Sequence, residues 1–150
     1  MTLHLSHPAE LVELVGRTIG TTGAYKVLQD QVNLFAEATG DFQWIHTDPD
    51  RAADGPFGGT VAHGYLTLSL APSILAEALT VDGVDAALNY GLNKVRFPAP
   101  LPVGSVLRAT VALTAAEQKP AGVEAVFRLT YEIDGGTRPV CVADVVVLYT

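Results

Sequence analysis

An α+β fold, with an antiparallel sheet wrapped around one long apolar helix, is predicted from three observations. Residues 65–79 carry Leu66, Leu68, Leu70, Ala71, Ile74, Leu75, Ala78 and Leu79, so this helix is apolar nearly all round. A helix without a polar face has to be enclosed by other structure. After Val81 the texture changes to extended segments separated by proline- and glycine-rich turns, and strands joined by tight turns are antiparallel. A sheet of that kind has an apolar face to cover, and the greasy helix is the cover available. A helix lying flat on an α+β sandwich is the alternative architecture.

Taken in order, residues 8–15 form a short helix with Pro8 in its first turn and Gly16 after its end. Residues 18–23 are turn-rich, and 24–27 make a short strand. In residues 30–39, Val32, Phe35, Ala36 and Thr39 recur at i, i+3, i+4 and i+7, one face of a helix. Gly40 ends it, because the residue after a helix often takes a positive φ. Leu28 cannot cap its start, so Asp30 supplies the favourable first-turn charge. Residues 42–47 are too few for a core helix. Asp48-Pro49 is an N-cap and N1 pair for a brief helix over 49–53, and a glycine-rich loop follows over 54–60. Pro72 interrupts the long helix by removing the bond to the Leu68 carbonyl, which predicts a kink or two abutting pieces. Strands are expected at 88–97, with a bulge at Gly91, and at 106–117, 123–133 and 139–149.

The 150 residues predict one domain over 1–150. Nearly half the chain is hydrophobic (49%) and only 17% is charged, yet no apolar run approaches the roughly 20 residues that span a bilayer. So apolar a chain hides surface between subunits, which predicts a homodimer. A net charge of −7 argues against nucleic acid, which requires a basic surface. The N-terminus lacks the pattern of a secretory signal. The single cysteine, Cys141, lies in an apolar run and reads as inert core, consistent with a reducing cytoplasm. Lys94 and Arg96 stand together and read as a solvated strand edge, with contact to an anionic ligand tail as the alternative.

The chemistry converges on residues 40–64. Asp41 follows a helix C-terminus, where the macrodipole is unfavourable to an anion; this suits a carboxylate that takes up a proton. His46 offers an imidazole that can accept a proton or hold a water. Gly64 opens the long helix, where free N–H groups and partial positive charge suit a transient oxyanion, and glycine allows a ligand carbonyl to come close. His63 orients that entry or serves as a buried spacer. Asp41, His46, Asp48 and His63 are also a candidate metal set, but no HExxH or cysteine pair accompanies them. Ser69 and Ser73 lack a nucleophile elbow. No nucleotide-binding glycine motif is present.

The run ATGDFQWIH from Ala38 to His46, with Ala52 after it, resembles the hydratase 2 motif of the MaoC-like dehydratases. That family comprises (R)-specific enoyl-CoA hydratases and 3-hydroxyacyl-thioester dehydratases with a hot-dog fold. The segments PFGGTVAHGYLTLSL and NKVRFPAPLPVGS resemble its nodulation-protein-N-like branch. The resemblance implies a catalytic Asp41 and His46 and an oxyanion donor at Gly64, with Gln43 and Trp44 in the pocket; His63, Tyr65 and Asn93 are further expected substrate contacts. It implies an acyl-thioester substrate and no metal or separate cofactor. Gln43-Trp44 stands where the family commonly has Asn-Pro, which bears on acyl length. A non-catalytic acyl-thioester binding module and a hot-dog thioesterase are the competing functions.

Overall fold

A computed structural model describes all residues from Met1 to Thr150. The chain begins with strand β1 (Leu3–Leu5) and a 3-10 helix (Pro8–Leu14), then strands β2 (Thr18–Thr21) and β3 (Tyr25–Lys26). Helices α1 (Gln29–Thr39), α2 (Trp44–Thr47), α3 (Pro49–Ala53), α4 (Gly64–Ser69) and α5 (Ala71–Ala78) follow. The remainder is strand: β4 (Leu79–Val81), β5 (Ala87–Arg96), β6 (Val106–Lys119), β7 (Gly122–Ile133) and β8 (Cys141–Tyr149). The main sheet runs β2-β6-β7-β8-β5, with β3 also on β6, and all its pairings are antiparallel.

The inward face of the sheet follows from alternation along each strand. Leu107, Ala109, Val111 and Leu113 on β6 meet Val123, Ala125, Phe127, Leu129 and Tyr131 on β7 and Cys141, Ala143 and Val145 on β8 in one buried cluster. Leu66, Ala71, Ile74, Leu75 and Ala78 bring α4 and α5 into the same cluster. The greasy helix is thus packed on the sheet, as its composition requires. Burial raises the Cys141 thiol to about 11, so it stays protonated and unreactive, in keeping with an inert core position.

Pro72 divides the helix as expected. The break falls at Leu70, which caps both α4 and α5. The Leu68 carbonyl loses its i+4 donor at Pro72, and the Tyr131 hydroxyl, buried under the helix, donates to that carbonyl at 3.5 Å. Burial holds the Tyr131 phenol well above its usual range, which keeps it a donor. A strand residue thus approaches, at the outer limit of hydrogen-bond length, a carbonyl whose helical donor a proline removed, and the Leu70 N–H turns toward the same oxygen.

Several boundaries depart from the sequence reading. Of the residues expected as turn, 18–23, the first four form β2, which pairs with β6 through an irregular register between Thr18 and Gly20. Too short and too glycine-rich to show alternation, this edge strand is held by its neighbour. Residues 42–47 include a single helical turn, α2. The long helix stops at Ala78, and Leu79 is extended because β4 pairs in parallel with β1, a two-stranded element too short for any period to reveal. Helix α1 begins at Gln29, where the Leu28 N–H is satisfied by Gln31 Oε1 at 3.0 Å. Gly40 does close it, with φ 80°. Strand β5 carries the expected irregularity at Gly91 and a second one between Leu92 and Lys94.

Tyr131→Phe should lower stability by less than about 1 kcal/mol, the typical net worth of a well-formed intramolecular hydrogen bond, because this one is long. Urea unfolding reads this as a lower midpoint at constant m; an unchanged midpoint would show that the Leu68 carbonyl does not depend on the phenol.

Candidate active site

Three segments meet at the start of α4. The first is the Gly40 turn that ends α1, the second is α2, and the third is the strand-like run 60–63. The run is pinned on both sides. The Val61 N–H donates to the Ile45 carbonyl at 3.0 Å, the Ala62 N–H to the Leu101 carbonyl at 2.8 Å, and the Val103 N–H to the Thr60 carbonyl at 3.0 Å.

His46 is buried, and its Nδ1 lies 2.6 Å from the Val61 carbonyl oxygen. A carbonyl can only accept, so Nδ1 carries the proton and Nε2 of the neutral ring keeps its lone pair. The His46 ring also stacks on that of His63, with centroids 3.9 Å apart and planes at 25°. The same argument applies to His63, whose Nε2 donates to the Asp41 backbone carbonyl at 3.0 Å. Its Nδ1 is then unprotonated, and it is buried without a partner. Phe35, from the inward face of α1, packs a tilted ring on His63 at 4.9 Å.

Asp41 is about half exposed. Its Oδ1 accepts from the Gln43 N–H at 3.3 Å, and its Oδ2 is 4.0 Å from His63 Nε2. One carboxylate oxygen of Asp41 and one ring nitrogen from each of His46 and His63 lie within 4.8 Å of one another. Two groups that share one water through ordinary hydrogen bonds stand up to about 5.5 Å apart, so Asp41 and His46 are close enough to share one. The three groups would also fill three positions around a divalent cation, one fewer than a closed structural zinc site.

Gly64 is the first residue of α4, so its N–H has no partner in a preceding turn. It borders a cleft of about 230 Å³ with Phe57, Thr67, Phe97 and Pro98. A Cβ at Gly64 would sit 3.2 Å from the Phe97 ring, so the approach of that wall to the backbone depends on glycine.

The other residues singled out from sequence are placed differently. Gln43 acts through its backbone, which caps α2 and orients Asp41. Trp44 stacks under the Arg51 guanidinium at 4.3 Å and against Gly55, where a Cβ would be 3.0 Å from its ring. Tyr65 is exposed beside Phe97. Asn93 is exposed on β5, in the irregularity between Leu92 and Lys94. The structure brings Asp41, His46 and His63 together, puts Gly64 next in the chain, and leaves Tyr65 and Asn93 on the surface.

Two contributors carry no sequence signal. Gln29 Nε2 donates to the His46 carbonyl at 2.7 Å, and Gln29 Oε1 accepts from the Thr60 hydroxyl at 2.6 Å. One amide thus ties α1, α2 and the run that holds Val61. A glutamine in a first helical turn is commonplace, and only the fold shows its reach.

With this geometry in place, comparison with known proteins is decisive. A family model described as "MaoC like domain" matches residues 10–132. The chain belongs to the MaoC-like domain family. This MaoC-like chain is 51% identical over 142 residues to 3-hydroxyacyl-thioester dehydratase Z of Mycobacterium tuberculosis, covering 94% of each protein. It is 36% identical over 145 residues to Nodulation protein N of Rhizobium leguminosarum bv. viciae, covering 95% of this chain and 90% of that one. Among solved structures, the (R)-hydratase of A. caviae superposes with a TM-score of 0.74 at 24% identity, covering 89% of this chain and 97% of that one. R-hydratase PhaJ1 from Pseudomonas aeruginosa superposes with a TM-score of 0.73 at 21% identity, covering 90% and 81%. These likenesses establish the hot-dog fold.

Gln29→Leu should leave the Thr60 hydroxyl and the His46 carbonyl without their partner and lower stability by about 1–3 kcal/mol. Thermal or urea unfolding measures it; a variant as stable as the parent would remove Gln29 from the account of the site.

Proposed function

We propose that the protein is an (R)-specific enoyl-thioester hydratase, run in reverse as a 3-hydroxyacyl-thioester dehydratase. The observation that carries this reading is the convergence of Asp41, His46 and His63, with the Nε2 lone pair of His46 left free by its Nδ1 bond and Gly64 following His63 at the start of α4. The printed activities of the mycobacterial dehydratase and of the two hydratases point the same way.

The step can be written on this chain's own atoms. Asp41 and His46 hold one water between them. His46 Nε2 takes a proton from it as the oxygen bonds to C3 of the trans-2-enoyl thioester. The alkene electron pair moves to the thioester oxygen, and the Gly64 N–H meets the enolate with the favourable end of α4. A proton then returns to C2, the carbonyl re-forms, and the sum is addition of one water. The thioester already acidifies C2, so the proposed reaction requires no metal and no cofactor beyond the thioester carrier. An open apolar cleft of about 360 Å³ between α4–α5 and the β5–β8 edge is lined by Leu68, Ala71, Leu75, Leu92 and Val145. It suits the acyl chain.

The proposed assembly is a homodimer. Strand β5 is exposed along most of its length, with Leu88, Tyr90 and Leu92 open, and its outer edge has no pairing strand. An unpaired apolar edge is what a second copy would cover. No helix of the chain is long and apolar enough to cross a membrane, and a cytoplasmic location is the proposed setting.

Crotonyl-CoA should lose its enoyl-thioester absorbance on addition of the protein. Asp41→Asn and His46→Gln should each slow this by about 10²- to 10⁴-fold, the range for a general acid or base. Full activity in either variant would refute the assignment. Release of free thiol would instead mark a thioesterase, and saturable binding without turnover a non-catalytic module.

A further inference from the structure

His63 lies inside the site, yet the reaction as written makes no use of it. Its place in the sequence points to a substrate contact, but only 2% of the residue is exposed. Whatever it does for the chemistry therefore passes through its neighbours. Three contacts hold the ring. Nε2 donates to the Asp41 backbone carbonyl at 3.0 Å. The ring stacks on that of His46, with centroids 3.9 Å apart, and Phe35 packs against it at 4.9 Å. A fourth feature is unfavourable: Nδ1 is buried without a hydrogen-bond partner. A buried polar atom left unpaired destabilises a fold and calls for an explanation. An apolar side chain of similar volume would fill the same space without that penalty. The imidazole must then contribute something that packing does not.

Its contacts lead to both reacting groups. Asp41 comes directly after Gly40, whose φ of 80° turns the chain out of α1. The other hydrogen bond to the Asp41 backbone is long, 3.5 Å from its N–H to the Thr39 hydroxyl. The shorter bond from His63 thus anchors the Asp41 turn and, through it, the direction of the carboxylate, whose Oδ2 is 4.0 Å from the same Nε2. The opposite duty falls to the ring face. When His46 Nε2 takes a proton from water, its ring becomes a cation. His63 presents a neutral ring to it, because Nδ1 has no acceptor toward which to hold a second proton.

We propose that His63 is a positioning residue for the hydration: it holds the Asp41 turn and the His46 ring in one frame, so that carboxylate and imidazole face the same water. This role deepens the hydratase reading and rests on it. A displacement of about 1 Å at a reacting group is enough to slow a reaction about 10²-fold.

The test separates position from stability, using crotonyl-CoA and two variants. His63→Leu is close to histidine in volume and has no N–H. It removes the donor to Asp41 and the unpaired Nδ1 together, so its urea midpoint should stay near that of the parent. Its kcat should nonetheless fall about 10²-fold, with KM within about twofold. His63→Gln keeps a side-chain N–H for the Asp41 carbonyl and should recover kcat to within about tenfold of the parent at the same KM. A parental kcat in His63→Leu overturns the role, as does a His63→Gln no faster than His63→Leu. A kcat and a urea midpoint that fall together in His63→Leu mark plain structural support and overturn it as well. So does a raised KM with kcat kept, which would make His63 a substrate contact. In all four cases an active parent leaves the hydratase reading intact. A parent that does not hydrate crotonyl-CoA overturns that reading and this role with it.

Discussion

The hydrogen bond from His46 Nδ1 to the Val61 carbonyl is the constraint on which the site depends. It does two things at once. It orients the ring, and it decides which nitrogen keeps a lone pair for chemistry. The bond is dependable only because Val61 cannot move. Its own N–H is committed to the Ile45 carbonyl, and its neighbours Thr60 and Ala62 are bonded to Val103 and Leu101. The backbone of α2 and the run before α4 therefore clasp each other, and the imidazole is a third strap between them.

His63 extends the same logic to the carboxylate. Its ring lies flat on His46, is backed by Phe35, and donates to the Asp41 backbone. Asp41 itself remains half exposed. The helix beyond Gly64 is embedded in the sheet and broken at Leu70. At the break the Tyr131 hydroxyl lies 3.5 Å from the Leu68 carbonyl. Core packing on β7 thus holds in place the helix whose first residue faces the cleft.

The parts legible in sequence are those carried by strong local chemistry. Gly40, with its positive φ, marks the end of α1. Pro72 divides the apolar helix. The alternating strands β6, β7 and β8 lie close to where their side chains indicate. Asp41, His46 and His63, singled out because acid and bases fall between Gly40 and Gly64, do come together in the fold. The illegible parts are held by distant partners. Strand β2 exists because β6 offers it a ladder, and β1 and β4 are three residues each, below the length at which any period can be read. Gln29 and Thr60 reach the site across 31 positions of sequence. Gln43 and Trp44 drew attention through their place in a motif. The fold uses the backbone of the first, and stacks the second on Arg51 and Gly55.

The most direct test of this account is the protonation pattern of the histidine rings. Two-bond proton–nitrogen correlation spectra of the uniformly nitrogen-15-labelled protein, recorded at a pH where the imidazoles are neutral, report which ring nitrogen bears hydrogen; His46→Gln and His63→Gln spectra assign the signals. The account predicts His46 protonated at Nδ1 with a bare Nε2, and His63 the reverse. A His46 ring protonated at Nε2 would have no free lone pair to take the proton from water, and would contradict it.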